Sequence, residues 1–407
     1  MIFNNIAEKM TNFYWKARMR LIPPGSQRER PFRLLKGLIL HSRNTIILAT
    51  TMIEQSILEP KRKVVMAQNK SMEENFLKGT SRLIVFIVPG VNVVNGGIMS
   101  ICTLAKVSQS AKPIHNAEVL LVTLPGSSLL SKFTLFENPF DIYRFEQLYS
   151  YFTRIEELTL HLPENFVIRF LACLADTEKR FLLNIPNLHI NILNQNVWLM
   201  PPREIVTQVK ELTKFVTCTT AHPRYCTQQL RDYYNIPFHN FSTSNLTEYY
   251  NRPYKEKEGL MIVSNDSQKY KGRILAKIRR EHPELAIKII EKVPYEEYKR
   301  LLSRAKWAIT FGEGLDGYFV ESIRSGAIPF AVYNQDFFTD RFKNLPNVYN
   351  SYEEMLTNIS QDLDRLNVPR VFESLSKRLV ELDKQEYDDE KYKDNIRRFY
   401  VGKYDLP

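Results

Sequence analysis

Four cysteines are spread over 407 residues, at Cys102, Cys173, Cys218 and Cys226, and no two stand at metal-ligand spacing. Three lie in apolar runs, which reads as buried free thiols in a reducing compartment. No His-x-x-x-His occurs, so neither a metal site nor a cofactor is expected. No apolar run reaches the ~18 residues that a membrane-crossing helix needs. The N-terminus lacks a compact apolar stretch followed by small residues at a cleavage position, so no secretory signal is expected, and the cytoplasm is the expected location. Gly-x-Ser-x-Gly and the protein-kinase loops are missing, which removes the commonest serine hydrolases and kinases. There is no internal repeat and no low-complexity tract.

What remains is an ordinary globular composition, 44% hydrophobic and 25% charged, long enough for roughly two to three domains. The net charge of +11 favours anionic partners such as nucleotides, lipid phosphate, an anionic membrane or nucleic acid, without choosing among them. Cations gather at the start: Lys9, Lys16, Arg18, Arg20, Arg28, Arg30, Arg33 and Lys36 face only Glu8 and Glu29, with Phe3, Ile6, Met10, Phe13, Tyr14, Trp15 and Ile22 interleaved. Two readings fit residues 1–36: an interfacial helix lying on the inner face of an anionic membrane, or a solvated basic helix packed on its own domain. No nucleic-acid-binding module is recognisable, so a nucleic-acid partner is not expected.

From residue 82 onward, apolar runs alternate with amphipathic stretches. Strands are expected at 83–88, 119–124, 157–161, 188–193 and 215–219, with helices at 98–107, 141–153, 163–174 and 202–214 between them. After a polar stretch at 242–258 the alternation restarts, with strands at 260–264, 285–290, 307–311 and 328–332 and helices at 273–281, 295–305 and 319–325. Continuous apolar strands alternating with helices predict parallel sheets covered on both faces. The fold class is therefore α/β, two doubly wound domains facing a cleft, with loops at the carboxyl ends of the strands lining it. The expected organisation is a basic helical extension over 1–80, one domain over 81–247, a second over 248–385 (two helices at its end, 352–385), and a last segment at 386–407. That last segment reads either as a helix crossing back to the first domain or as a surface tail.

The most informative segment is Glu313-Gly-Leu-Asp-Gly-Tyr-Phe-Val-Glu321. It lies between an apolar strand and a helix, so free backbone N–H groups and the helix dipole converge on the turn, an arrangement suited to phosphate. Glutamates in the turn and on the helix add acceptors for hydroxyl hydrogen bonds. A bland reading stands beside this one: Glu321 pairs with Arg324 on a helix surface, and Asp316 is only an N-cap. The Glu-x7-Glu spacing, with a glycine after the first glutamate and Ser325-Gly326 then Pro329 after the second, resembles the donor-binding signature of retaining GT-B glycosyltransferases, most closely glycosyltransferase family 4. The family pattern carries Gly-Phe-Gly-Leu-Pro after its first glutamate, where this chain has Gly314-Leu315-Asp316-Gly317-Tyr318.

The resemblance implies a GT-B fold, two Rossmann-like domains around a central cleft, and metal-independent transfer of a sugar from a nucleotide-sugar. Glu313 would hold donor-sugar hydroxyls, Glu321 the ribose diol, and the backbone of Gly314, Leu315, Asp316, Gly317, Tyr318 and Phe319 the diphosphate. Lys271-Gly272 matches the family's Lys-Gly pair, whose cation steadies the departing diphosphate; Ser264-Asn265 stands where the family has Gly-Arg. Asn95-Gly96-Gly97 resembles the glycine loop of the first domain, and small residues there let a phosphate or sugar approach the backbone. His161 occupies a strand-end position where the family often places a histidine near the donor sugar, so Glu313, His161 and Lys271 are the candidate catalytic residues. Asn194-Gln195-Asn196 is either a sugar-binding or a plain polar loop. The implied acceptor is a glycan or lipid-linked hydroxyl in cell-envelope polysaccharide synthesis. The alternative is a non-catalytic GT-B-like subunit scaffolding a partner transferase.

Overall fold

The computed structural model describes Asn69–Lys70 and residues 80–407, apart from 152–154, 245–246 and 292. The expected basic extension, residues 1–80, thus lies almost wholly outside the described residues, and with it the membrane-contact reading of 1–36. Two sheets, both parallel throughout, organise the rest. The first contains β1 (Arg82–Val88), β2 (Glu118–Thr123), β3 (Ile142–Arg144), β4 (Glu157–Pro163), β5 (Asn187–Asn194), β6 (Phe215–Thr220) and β7 (Phe238–Asn240), in the order β3-β2-β1-β4-β5-β6-β7. The second contains β8 (Glu258–Val263), β9 (Ala286–Ile289), β10 (Ala305–Ile309), β11 (Ile328–Val332) and β12 (Val348–Tyr349), in the order β12-β11-β10-β8-β9.

Buried runs such as Leu83 to Val88 form because helices cover both faces of each sheet and leave no polar side for the alternation to mark. The helices that matter for the site are α1 (Gly96–Ser110), α2 (Lys271–Glu281), α3 (Tyr295–Arg304), α4 (Gly317–Arg324), α5 (Tyr352–Leu366), α6 (Pro369–Glu386) and α7 (Asp389–Tyr400). The chain order reverses direction between β1 and β4 in one sheet and between β10 and β8 in the other. Such switch points leave a crevice at the carboxyl ends of the strands, where ligands of open α/β sheets bind.

The last segment returns to the first sheet. Helix α7 lays Phe399 and Tyr400 on β4 and β5: the Tyr400 hydroxyl meets Ser108 Oγ at 2.7 Å and His161 Nε2 at 3.1 Å, and Phe399 stacks on His189. Beyond it, Leu406 bridges to Phe238 in β7. One apolar cluster runs from β1 and α1 through α3 and β8 to α7, so the two sheets share buried contacts. Among the described residues no helix is long and apolar enough to cross a membrane.

The short strands β3, β7 and β12 were not anticipated, nor were the helices at Asp176–Leu183 and Gln228–Tyr234. Residues 142–144 belong to a strand where the periodicity predicts the start of a helix.

Candidate functional site

The second switch point is built from two loops. The loop after β8 starts at Ser264, fully buried, whose Oγ accepts from Phe311 N at 2.9 Å while its own N–H donates to Ile309 O. Those bonds tie it to the loop after β10, so Ser264 staples the two loops together. Lys271, the first residue of α2, folds its ammonium back to donate to Ser264 O at 2.6 Å and Asp266 O at 3.0 Å. Burial lowers its pKa, and the Asp266 charge partly restores it.

The loop after β10 is the Glu313 turn. Asp316 caps α4: its Oδ1 accepts from Phe319 N at 3.1 Å, and its Oδ2 accepts from the Thr310 hydroxyl. The N-cap reading of Asp316 is therefore realised, and it takes the Phe319 N–H out of any phosphate cradle. Among the described residues, none accepts from the N–H groups of Gly314, Leu315, Gly317 or Tyr318. Leu315 and Phe319 send their side chains into the core of the second lobe, and Tyr318 packs edge-on against Tyr298.

Three carboxylates share this turn. A Cβ built on Gly312 would lie 2.9 Å from Asp266 Oδ2 and 3.0 Å from Asp316 Oδ2, so only glycine passes between them. Burial pushes the Asp316 pKa up to about 7; the Thr310 and Phe319 hydrogen bonds oppose this, and the Asp266 and Glu313 charges add to it. Glu313 keeps an exposed surface at the turn, and crowding of its carboxyl by surrounding atoms, then Asp266, raises its pKa.

Glu321 sits one turn into α4, 8% exposed, beneath Gly317. It does not pair with Arg324, which donates to Asp383 at 2.8 Å. Its Oε1 accepts instead from Tyr295 at 2.7 Å and Tyr249 at 3.2 Å, and Tyr249 and Tyr295 are bonded to each other at 2.8 Å. Burial raises the Glu321 pKa, against the phenols of Tyr295, Tyr298 and Tyr249. Oε2 meets no donor within hydrogen-bond geometry among the described residues, but the buried Tyr298 hydroxyl, itself without such a partner, lies close enough to favour the Glu321 carboxylate.

Two signals went unread in the sequence. One is Tyr249, Tyr295 and Tyr298, scattered over 50 positions and joined only by folding. The other is Gly312-x-Gly314-x-x-Gly317, the glycine spacing of a phosphate-binding strand–turn–helix. Gly314 has φ +94°, and a Cβ there would lie 2.5 Å from Phe338 Cε2.

Across the crevice, the first sheet offers the Asn95-Gly96-Gly97 loop. Asn95 Oδ1 caps α1 by accepting from Gly97 N at 2.9 Å, and the space above Gly96 is open. Gln195 closes over Gly97, donating Nε2 to its carbonyl at 3.1 Å. Glu164 beneath it accepts from the N–H groups of Gln195 and Asn196, and burial pushes its pKa up to about 7. Asn194 is buried with neither amide atom hydrogen-bonded, and Asn196 caps Trp198. Gln195 and Asn196 therefore serve loop architecture.

His161 does not join this site. It has no exposed surface, its ring stacks on Phe86 at 4.3 Å, and its nitrogens meet Asn191 at 3.0 Å and Tyr400. Burial, then the charges of His189 and His115, hold its pKa well below the usual imidazole range, so it is neutral. The sequence predicts a strand ending at His161, but β4 runs on to Pro163, so His161 lies within the sheet, paired with Phe86 and Asn191, and helix α7 covers its ring.

The acidic pair at Asp-x-Asp spacing, Asp362 and Asp364, lies on α5, with Asp362 engaged by Tyr349 and Arg365. Among the described residues, no group of three or more His, Cys, Asp or Glu side chains is placed to hold a metal ion.

No protein-family model matches the sequence, and no curated protein matches it. Solved structures do. Sucrose-phosphate synthase (tll1590) from Thermosynechococcus elongatus is 10% identical with a TM-score of 0.50, over 79% of this chain and 98% of that one. Anabaena HepE in complex with UDP and glucose is 8% identical with a TM-score of 0.53, over 79% of this chain and 100% of that one. At such identities the likeness is one of architecture: two parallel sheets of seven and five strands facing across a crevice, the GT-B fold.

Proposed function

We propose that this protein is a glycosyltransferase that moves a sugar from a nucleotide-sugar to a hydroxyl of a glycan or lipid-linked acceptor, with retention and without a metal, in cell-envelope polysaccharide synthesis. The observation that carries the reading is the Glu313 turn: free N–H groups at the start of α4, a carboxylate in the turn and another one helical turn on, all at the switch point of the second sheet. Backbone N–H groups of Gly314, Leu315, Gly317 and Tyr318 receive the diphosphate. Glu313 orients sugar hydroxyls. Glu321 Oε2 accepts from the ribose, and the Tyr249 bond to Oε1, the longer of its two, exchanges for the second ribose hydroxyl. Lys271 steadies the leaving diphosphate through its field. The HepE complex contains UDP and glucose, which makes UDP-glucose the first donor to test.

One observation favours a second reading. The diphosphate side of the turn carries Asp266 and Asp316, and its lysine is already bound to two carbonyls. A non-catalytic GT-B-like subunit scaffolding a partner transferase would tolerate that arrangement. Incubating the purified chain with a panel of UDP-, GDP-, dTDP- and CMP-sugars, with and without EDTA, separates the readings. Release of the nucleoside diphosphate (or of CMP from a CMP-sugar) in EDTA, abolished in Glu313→Gln, supports the transferase. No release from any donor supports the scaffold.

A further inference from the structure

Hydrogen bonds link the two lobes across the crevice. In one link the loop after β2 meets the start of α3, where Tyr295 N donates to Leu135 O at 3.2 Å. In another, the loop after β6 meets the loop after β11. There Arg224 donates Nη1 to Gln335 O at 2.6 Å and Nη2 to Phe337 O at 2.9 Å, and Tyr225 donates its hydroxyl to Asp336 O at 2.8 Å. Two adjacent side chains of one lobe thus donate to three successive carbonyls of the other. A guanidinium fork can span two carbonyls at once, which an ammonium cannot do with the same geometry.

The segment so gripped is a tight turn, closed by Asp336 N on Asn334 Oδ1 and Phe338 N on Asn334 O. It leads directly to Phe338, a fully buried ring that packs edge-on against Phe319 in the first turn of α4 and lies under Gly314. The carbonyl of Val332 is 2.9 Å from where a Gly314 Cβ would be. Residues 332–338 are therefore both the handle held by the first lobe and the floor of the Glu313 turn. Burial, then the charge of Asp336, raises the Tyr225 pKa; Arg224 opposes this and Glu313 adds to it.

We propose that Arg224 and Tyr225 form an interdomain latch that positions the Glu313–Gly314 turn through residues 335–338, so that closing the lobes and shaping the donor turn are one event. They are positioning residues. The inference rests on the donor-site reading for its consequence and on cross-lobe geometry alone for its existence. Small-angle X-ray scattering of the full chain without ligand tests the latch, and calorimetric titration with UDP tests its effect, in wild type, Arg224→Ala, Arg224→Lys and Tyr225→Phe. All three variants are expected to show a larger radius of gyration and to bind UDP about tenfold more weakly, with Arg224→Ala the most affected and Arg224→Lys failing to rescue it. Saturating UDP returns their scattering to the wild-type curve. Should Arg224→Ala fail to fold, Arg224→Lys and Tyr225→Phe carry the same comparison. Unchanged scattering in the folded variants, or opened lobes with undiminished UDP affinity, overturns the proposal. A wild-type chain that binds no UDP overturns the donor reading instead, and the ligand-free scattering still decides the latch.

Discussion

Asp316 caps helix α4 while two other carboxylates crowd it, and the two circumstances pull its proton in opposite directions. Burial and charge win, leaving its pKa at about 7 against an ordinary 3.8. Between those values the folded chain keeps a proton that the unfolded chain has released. The associated stability is present in acid and is lost as pH rises through about 7. Asp316→Asn keeps a good cap acceptor, so its melting temperature is expected to fall less than that of wild type between pH 5 and pH 8. The stability difference between the two should move in the variant's favour by about 1–3 kcal/mol over that range; parallel curves from calorimetric melts would refute the assignment. At this scale the sequence announced the turn and its two glutamates. It could not announce that Glu321 is met by Tyr249 and Tyr295, because those residues approach it only through the interlobe linker and α3. Nor could it distinguish a histidine at a strand end from one under a returning helix, which is where His161 lies.

Among the elements, the turn between β10 and α4 is the most constrained. Gly314 adopts φ +94°, which a residue with a Cβ rarely holds, and its Cβ position is occupied by the Phe338 ring. Gly314→Ala is expected to destabilise the chain by about 1–3 kcal/mol and to weaken nucleotide binding more than Gly96→Ala, which meets open space. Chemical denaturation and UDP titration of both variants measure this; equal behaviour would contradict it. The long buried strands β1, β2, β4, β5, β8, β10 and β11 were legible because an unbroken apolar run flanked by helices has few other meanings. β3, β7 and β12 have two or three residues each, too few for a pattern, and neighbouring strands define them.

For the whole molecule, the decisive device is the return of the C-terminal segment. Phe399 packs among His161, His189, His239 and Phe241, and the Arg231 guanidinium holds the Pro407 carbonyl. Phe399→Ala should cost about 3–5 kcal/mol and lower the melting temperature without abolishing UDP binding by whatever fraction stays folded. A melting temperature within a degree or two of wild type would mean that α7 is an appendage and not part of the first lobe. The two-lobed arrangement was readable from two series of strands parted by a polar joint. The direction of the last helix was not, since an amphipathic helix dense in aromatics does not name the surface it covers.

The central claim is that Glu313 and Glu321 frame a nucleotide-sugar pocket at the crevice. Calorimetric titration of UDP into wild type and Glu321→Ala tests it most directly. Saturable binding to wild type, weakened about tenfold or more in the variant at an unchanged fold, is the expected result. Equal affinity in the two, or no binding of UDP or of any other nucleoside diphosphate to either, would contradict it.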